Sequence, residues 1–211
     1  MNRKPIEPTH RLTDSPTNRV TNILIVGVGG QGVILASELL SEAAMEAGFD
    51  VKKSEVHGMA QRGGVVSTHI RFGEKVYSPL IQAGAADVAL AFEAAEGLRW
   101  AGHVKKGGLL VVNTQQIIPP IAFTGEFQYP KDPINEAKSV CRGRMLAIDG
   151  IGIAHQVGNP KLVNTVLLGA ISGDLPIPAE VWESVIRRRV PRGTEELNLK
   201  AFKRGMEQVR R

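Results

Sequence analysis

Three features of the sequence predict its fold class. Short apolar runs alternate with stretches of helical apolar spacing along most of the chain. A glycine-rich turn, Gly27-Val28-Gly29-Gly30-Gln31-Gly32, directly follows the first apolar run, Ile23-Leu24-Ile25-Val26. One segment, Val66 to Phe72, instead alternates apolar and polar residues. Together they predict an α/β fold: a Rossmann-like three-layer sandwich whose mostly parallel sheet carries an antiparallel hairpin addition.

The elements follow in order. Asn22 to Val26 is apolar enough for a strand buried on both faces. From Val33 to Ala47, Leu35, Ala36, Leu39, Leu40, Ala43 and Ala44 keep helical spacing, and Gly48 supplies a stop. Val51 to Val56 reads as a second strand. Val66, Thr68, Ile70 and Phe72 alternate with Ser67, His69 and Arg71, the period of a strand with one wetter face. Gly73-Glu74 then reads as a turn and Val76-Tyr77 as the returning arm of a hairpin. Asp87 to Phe92 is a buried strand. A helix over Glu93 to Val104 follows, with Lys105 and Lys106 at its end and Gly107-Gly108 stopping it. Leu109 to Val112 is the next strand, and Gln115 to Asp132 a loop. A helix at Pro133 to Val140 and a strand at Met145 to Ile148 continue the alternation. Helices over Ala154 to Val157, Leu162 to Ile171, Pro178 to Val190 and Glu195 to Val209 close the chain.

Composition narrows the function classes. The 211 residues, 43% hydrophobic, suffice for one buried core but not for two large domains. Residues 1–20, polar with Pro5, Pro8 and Pro16, read as a flexible N-terminal extension, and residues 21–211 as one domain. No apolar run reaches the ~18 residues of a membrane helix, and the N-terminus lacks the pattern of a signal peptide. The single cysteine, Cys141, excludes a disulfide framework and any iron–sulfur or zinc site built from several cysteines of this chain. It reads as an inert thiol, and the compartment as reducing, cytoplasmic. The net charge of +5 gathers in Arg187-Arg188-Arg189, Arg192, Lys200, Lys203, Arg204, Arg210 and Arg211. These read as a solvated helical surface, with a basic patch for an acidic partner or phosphate as the alternative. Aromatic residues make up only 5%, and no nucleic-acid-binding motif is present. His69, His103 and His155 lack the spacing of metal ligands.

Two segments carry the chemistry. In the first, Gly29, Gly30 and Gly32 let the backbone approach a ligand, the following helix offers amides to an anion, and Gln31 adds a side chain that donates and accepts. By letter count the turn also fits a dinucleotide fingerprint on Gly27, Gly29 and Gly32, with Glu55 as the ribose-binding acid. Close helix–strand packing explains the same glycines. The second segment is His57-Gly58-Met59-Ala60-Gln61-Arg62-Gly63-Gly64. His57 and Arg62 can bind anionic groups, and Gly58, Gly63 and Gly64 keep the backbone open. It fits a loop beside a ligand or partner as well as it fits a long turn. Glu93 and Glu96, three apart at a helix start, read as caps that favour the helix dipole.

The glycine-glutamine-glycine turn, the segment Ser54-Glu55-Val56-His57-Gly58-Met59-Ala60-Gln61-Arg62-Gly63-Gly64 and the stretch Val76-Tyr77-Ser78-Pro79-Leu80-Ile81 together resemble the gamma-type domain of the 2-oxoacid:ferredoxin oxidoreductases. The second segment is similar to the indolepyruvate branch. Asn164-Thr165-Val166-Leu167-Leu168-Gly169-Ala170 and Asn198-Leu199-Lys200-Ala201-Phe202 extend the likeness, which spans about Thr21 to Met206. The resemblance implies oxidative decarboxylation of an aryl pyruvate with coenzyme A as co-substrate and ferredoxin as electron acceptor. It also implies a larger alpha subunit as partner, holding thiamine diphosphate, Mg2+ and [4Fe-4S] clusters. This chain has neither cluster-binding cysteines nor a thiamine-binding Gly-Asp-Gly segment, so it is expected to hold no cofactor or metal of its own. Gln31, His57 and Arg62 are then expected at the partner junction, with Gly29, Gly30, Gly32, Gly58, Gln61, Gly63 and Gly64. A purely structural scaffold and an independent nicotinamide-dependent oxidoreductase are the alternatives.

Overall fold

The computed structural model describes residues 20–58, 64–119 and 128–209. Among them a mixed sheet of six strands is flanked by helices on both faces. The chain runs β1 (Thr21–Val28), α1 (Val33–Glu46), β2 (Asp50–His57), β3 (Val65–Gly73), β4 (Ala86–Ala91), α2 (Ala94–Trp100), β5 (Val104–Asn113), α3 (Pro133–Val140), β6 (Arg144–Ile148), α4 (Gly150–Val157), α5 (Val163–Ser172), α6 (Ala179–Arg189) and α7 (Glu195–Val209). Strand order is β2-β3-β1-β4-β5-β6. β1, β4, β5 and β6 pair in parallel, and β3 lies antiparallel between β1 and β2. Of the expected N-terminal extension over residues 1–20, residues 1–19 lie outside the described residues.

β1 shows why the apolar run is a strand and not a helix. Ile23 and Ile25 enter the core beneath α1, α4, α5, α6 and α7, whereas Leu24 and Val26 enter a second core beneath α2 and α3. All four are fully buried, so each face of the strand meets a helix layer, as a central strand of a three-layer sandwich requires.

Two expectations are corrected. Val76-Tyr77 does not return as a hairpin arm; β3 pairs with β1 and β2 over its whole length. The chain after β3 runs instead as an irregular strap whose backbone is held by side chains. Val76 N–H donates to the Asp50 carboxylate at 2.9 Å, and the Arg71 guanidinium donates to the Ser78 carbonyl at 2.8 Å. Likewise, α2 stops at Trp100 and gives way to a 3-10 turn, Ala101–His103; Lys105, Lys106 and Gly107 lie in β5. Lys105 pairs with Asp87 on β4. The glycines serve a register shift between the two strands. Gly107 has a φ of 77°, and a Cβ on Gly108 would lie 2.9 Å from the Asp87 carbonyl oxygen.

The arginine run at the end of α6 is not a free basic surface. Arg188 pairs with Glu42 and Glu46 of α1, each at 2.7 Å, Arg189 with Glu42 at 3.0 Å, and Arg187 with Glu196 at the start of α7 at 2.6 Å. Each exposed pair contributes little alone, yet the network ties three helices together. Arg188 holds the Glu46 carboxyl below its ordinary range.

α5 and α7 pack at backbone contact. A Cβ on Gly169 would lie 2.0 Å from the Phe202 carbonyl oxygen, and one on Gly205 would lie 1.9 Å from that of Val166. Beside this crossing the buried Thr165 hydroxyl donates to Asn198 Oδ1 at 2.7 Å. Gly169→Ala must push the helices apart and is expected to lower unfolding free energy by about 1–3 kcal/mol. Urea denaturation of the two proteins measures this; an unchanged midpoint would contradict so close a crossing.

Candidate functional site

The parallel strands place their carboxyl ends along one edge of the sheet. After β1 the chain turns into α1 on one face; after β4 it turns into α2 on the other. A crevice opens where neighbouring strands send their connections to opposite faces, and here that point lies between β1 and β4.

The glycine turn is built into this point. A Cβ on Gly27 would lie 2.8 Å from Phe92 Cβ and 2.9 Å from Gln31 Oε1, so only glycine fits. Gly30 and Gly32 have φ values of 97° and 83°, a conformation that other residues adopt at a cost. The turn folds Gln31 back over the strand ends. Its Oε1 accepts from Val28 N–H at 2.9 Å; its Nε2 donates to the Phe92 carbonyl at 2.9 Å and to Gln115 Oε1 at 3.0 Å. The buried Asn113 supplies a second donor to the Phe92 carbonyl at 3.0 Å and accepts from Gly150 N–H at the start of α4, also at 3.0 Å. Gln31 is therefore a clamp across β1, β4 and the segment after β5, and its amide is spent within the chain.

The topology brings the second glycine segment to the same edge, because β2 runs parallel to β1 and the β2–β3 connection sits above the carboxyl ends. Gly29 N–H donates to the Gly64 carbonyl at 2.9 Å, and Gly58 N–H to that of Val65 at 2.8 Å. A Cβ on Gly58 would lie 3.3 Å from the Val65 backbone. The His57 backbone pairs with Val66. Its side chain lies outside the described residues, as do residues 59–63 with Gln61, Arg62 and Gly63.

On the α2 face two buried acids dominate the site. The Glu93 carboxylate, 2% exposed, caps α2 by accepting from Glu96 N–H at 2.9 Å. Its other oxygen accepts from Ile117 N–H at 3.0 Å and from the Tyr129 hydroxyl. Burial and the Glu93 carboxylate push the Tyr129 hydroxyl far above its ordinary value. Glu96 is also buried, and burial raises its pKa against the opposing pull of Arg99, whose Nε donates to it at 3.1 Å. A cavity of about 250 Å³ lies here, lined by Val28, Gly64, Glu93, Glu96, Arg99 and Tyr129 among others.

The α1 face differs. A larger crevice of about 610 Å³ runs from the glycine turn to the start of α5, with Lys161 and Asn164 on its far wall. α1 begins at Gly32 with no side-chain cap. Asn164 is 5% exposed. Its Oδ1 accepts from Thr165 N–H at 2.9 Å, which fixes the orientation of its amide. Its Nδ2 is then the Asn164 atom nearest Gly32, 3.4 Å from where a Cβ would stand, and takes no partner among the described residues. The sequence reading missed Lys161 and Asn164 as site residues. The available signal was Asn164 at the head of the stretch that resembles the gamma-type domain.

The dinucleotide alternative loses its geometry. Such a site wants the acid at the end of the strand beside β1, whereas β3 separates β2 from β1. Glu55 accepts instead from the Ser37 hydroxyl of α1 at 2.9 Å and pairs with Lys53 at 2.8 Å.

The family model for pyruvate ferredoxin/flavodoxin oxidoreductase matches residues 22–208. The chain belongs to this family. It is 41% identical to indolepyruvate oxidoreductase subunit IorB of Thermococcus kodakarensis over 191 residues, covering 88% of this chain and 94% of that one. It is also 41% identical to the IorB subunit of Archaeoglobus fulgidus, covering 89% and 94% of the two chains. Among solved structures it resembles the gamma subunit of a keto/oxoacid ferredoxin oxidoreductase from Geobacter sulfurreducens, with a TM-score of 0.66 and 27% identity over 90% of this chain and 98% of that one. Within the oxidoreductase family this chain is a small subunit of the IorB, gamma type, and a member of a multi-subunit oxidoreductase.

Two outcomes test the site's construction. Gln31→Ala strands Val28 N–H and frees the Phe92 and Gln115 acceptors, so it is expected to lower stability by about 1–3 kcal/mol in denaturant unfolding. A neutral result would remove the clamp. For Glu96 the folded pKa lies above the ordinary 4.5. Its contribution is therefore full below that value and lost as pH rises through the folded pKa. Unfolding curves of Glu96→Gln and the parent chain should thus shift in favour of the variant as pH rises above 4.5. A pH-independent difference would contradict the raised pKa.

Proposed function

We propose that this chain is the cofactor-free small subunit of an enzyme that oxidatively decarboxylates aryl pyruvates such as indolepyruvate. Coenzyme A is the co-substrate; the products are arylacetyl-CoA, carbon dioxide and reduced ferredoxin. In this reading thiamine diphosphate, Mg2+ and [4Fe-4S] clusters sit in a larger alpha subunit, and the small subunit is inactive alone. Its own contribution is to receive an anionic part of coenzyme A in the crevice on the α1 face and to close the active site from that side.

The observation that supports the reading is the Nδ2 of Asn164, which takes no partner among the described residues, on the wall of the crevice beside the uncapped start of α1. The positive end of the helix dipole, an amide donor and Lys161 line one crevice, a donor set that suits a phosphate oxygen. Leu35, Ile151 and Val163 give the same crevice an apolar wall for the uncharged arm of such a molecule. Its volume falls in the range of small-molecule sites. Around the carboxyl edge Ile34, Val56 and Ile118 are 43%, 58% and 47% exposed, an apolar rim suited to a partner subunit. His57, Gly58, Gln61, Arg62, Gly63 and Gly64 belong to this junction in the proposal, with Arg62 facing a carboxylate or phosphate.

The test is kinetic, on the complex assembled with its thiamine-binding partner. Lys161→Gln is expected to raise KM for coenzyme A by about tenfold and to leave KM for indolepyruvate unchanged. Arg62→Ala is expected to lower activity without loss of assembly. Normal kinetics per assembled complex in both variants would return the chain to a scaffold role.

A further inference from the structure

The stretch Val76 to Ile81 takes no part in the site above, yet three side chains hold it. Asp50 accepts from Val76 N–H at 2.9 Å, Arg71 donates to the Ser78 carbonyl at 2.8 Å, and His69 Nδ1 accepts from Ile81 N–H at 3.2 Å. Ile81 is 7% exposed and plugs the second core beside Leu24 and Val26. Tyr77 and Leu80 point outward, 88% and 63% exposed. The strap is thus a fixed display of two large apolar side chains, closed at its far end by an imidazole.

That closing bond constrains the ring's protonation state. An imidazole nitrogen accepts a hydrogen bond only while it carries no proton. His69 stands at one end of an aromatic cluster, edge-on to Trp100 with ring centroids 6.1 Å apart, and Trp100 in turn lies 4.5 Å from His103. The groups around it offer an imidazolium little relief. Its cross-strand neighbours are Ser54 on β2 and Leu24 on β1. Along the same face Arg71 on β3 and Lys52 on β2 are cationic, with Lys52 paired to Asp50. On α2 the Glu96 carboxylate is occupied by Arg99, and beyond Asn22 the Asp87 carboxylate is occupied by Lys105. His103 is a second imidazole.

We propose that His69 is a proton-sensitive anchor: its protonation sets donor against donor at Ile81, releases the end of the strap and unseats the Tyr77–Leu80 display. Burial and the neighbouring His103 hold His69 below its ordinary value of 6.5, and burial lowers His103 as well. The sign follows from this. The anchor is intact above the ordinary histidine value and is lost as pH falls through the lowered one. Val76, held by a carboxylate whose pKa Lys52 depresses, stays fixed over the same interval, so the strap opens from the Ile81 end only.

The experiment is amide hydrogen exchange and 1H–15N NMR on the full chain between about pH 7.5 and pH 5. After correction for the intrinsic rate, Ile81 N–H is expected to exchange fivefold or more faster, to an order of magnitude, at the acid end. Its shift should follow the His69 ring titration, while Val76 N–H and the β3 amides keep their protection. His69→Gln, which keeps an acceptor but does not titrate, is expected to leave Ile81 protection independent of pH. Unchanged Ile81 protection through the ring titration would overturn the proposal. So would an acid loss shared equally by the β3 amides, which would mean general unfolding.

Discussion

The site depends on one side-chain amide held where three strand ends meet. Gln31 uses its oxygen on Val28 and its nitrogen on Phe92 and Gln115, so the end of β1, the end of β4 and the segment after β5 cannot move independently. Gly27 makes room for this amide by having no side chain. Asn113 repeats the device one layer further on, joining the same Phe92 carbonyl to the start of α4. The bonds of both amides lie in partly or fully buried surroundings, where a missing partner is costly. The positions of α1, α4 and the crevice between them follow from that pair of amides.

The second constraint is the place of β3. Inserted antiparallel between β1 and β2, it sends β2 to the sheet edge and returns the β2–β3 connection over the carboxyl ends. Two segments some thirty residues apart in sequence thereby share one edge, joined by the bond from Gly29 to Gly64. The same insertion deprives Glu55 of the place a ribose-binding acid would need. A glycine pattern alone therefore does not determine the ligand; the strand order removes the dinucleotide reading.

Much of this was legible from local signals. The helix over 133–140 lies where the alternation put it and that over 195–209 where apolar spacing did, and Glu93 caps α2 as a carboxylate at a helix start should. Failures arose where a distant partner overrides a local preference. Val76-Tyr77 has the look of a strand, but Asp50 and Arg71 satisfy its surroundings from across the sheet. Lys105 suits a helix end, but Asp87 draws it into β5. The arginines of α6 look solvated until α1 supplies Glu42 and Glu46. Asn164 was hidden for the same reason. Within its own helix it is an unremarkable polar residue, and only the fold sets it beside Gly32.

The two faces of the carboxyl edge are electrostatically unequal, and this inequality decides where an anion can go. On the α2 face the Glu93 carboxylate already satisfies an amide of its own helix, the Ile117 amide and the Tyr129 hydroxyl. Glu96, buried beside it, consumes the charge of Arg99. An incoming phosphate or carboxylate there would meet two buried acids and few spare donors. On the α1 face Gly32 leaves the helix start without a side-chain cap, Asn164 directs an amide at it, and Lys161 stands at the rim. Desolvating an anion is tolerable only where donors are already in place, and within the described residues that condition is met on one side of the sheet. An acid substituted at Asn164 would abolish the difference, because a carboxylate facing Gly32 would repel any anion there while hardly altering the shape of the wall.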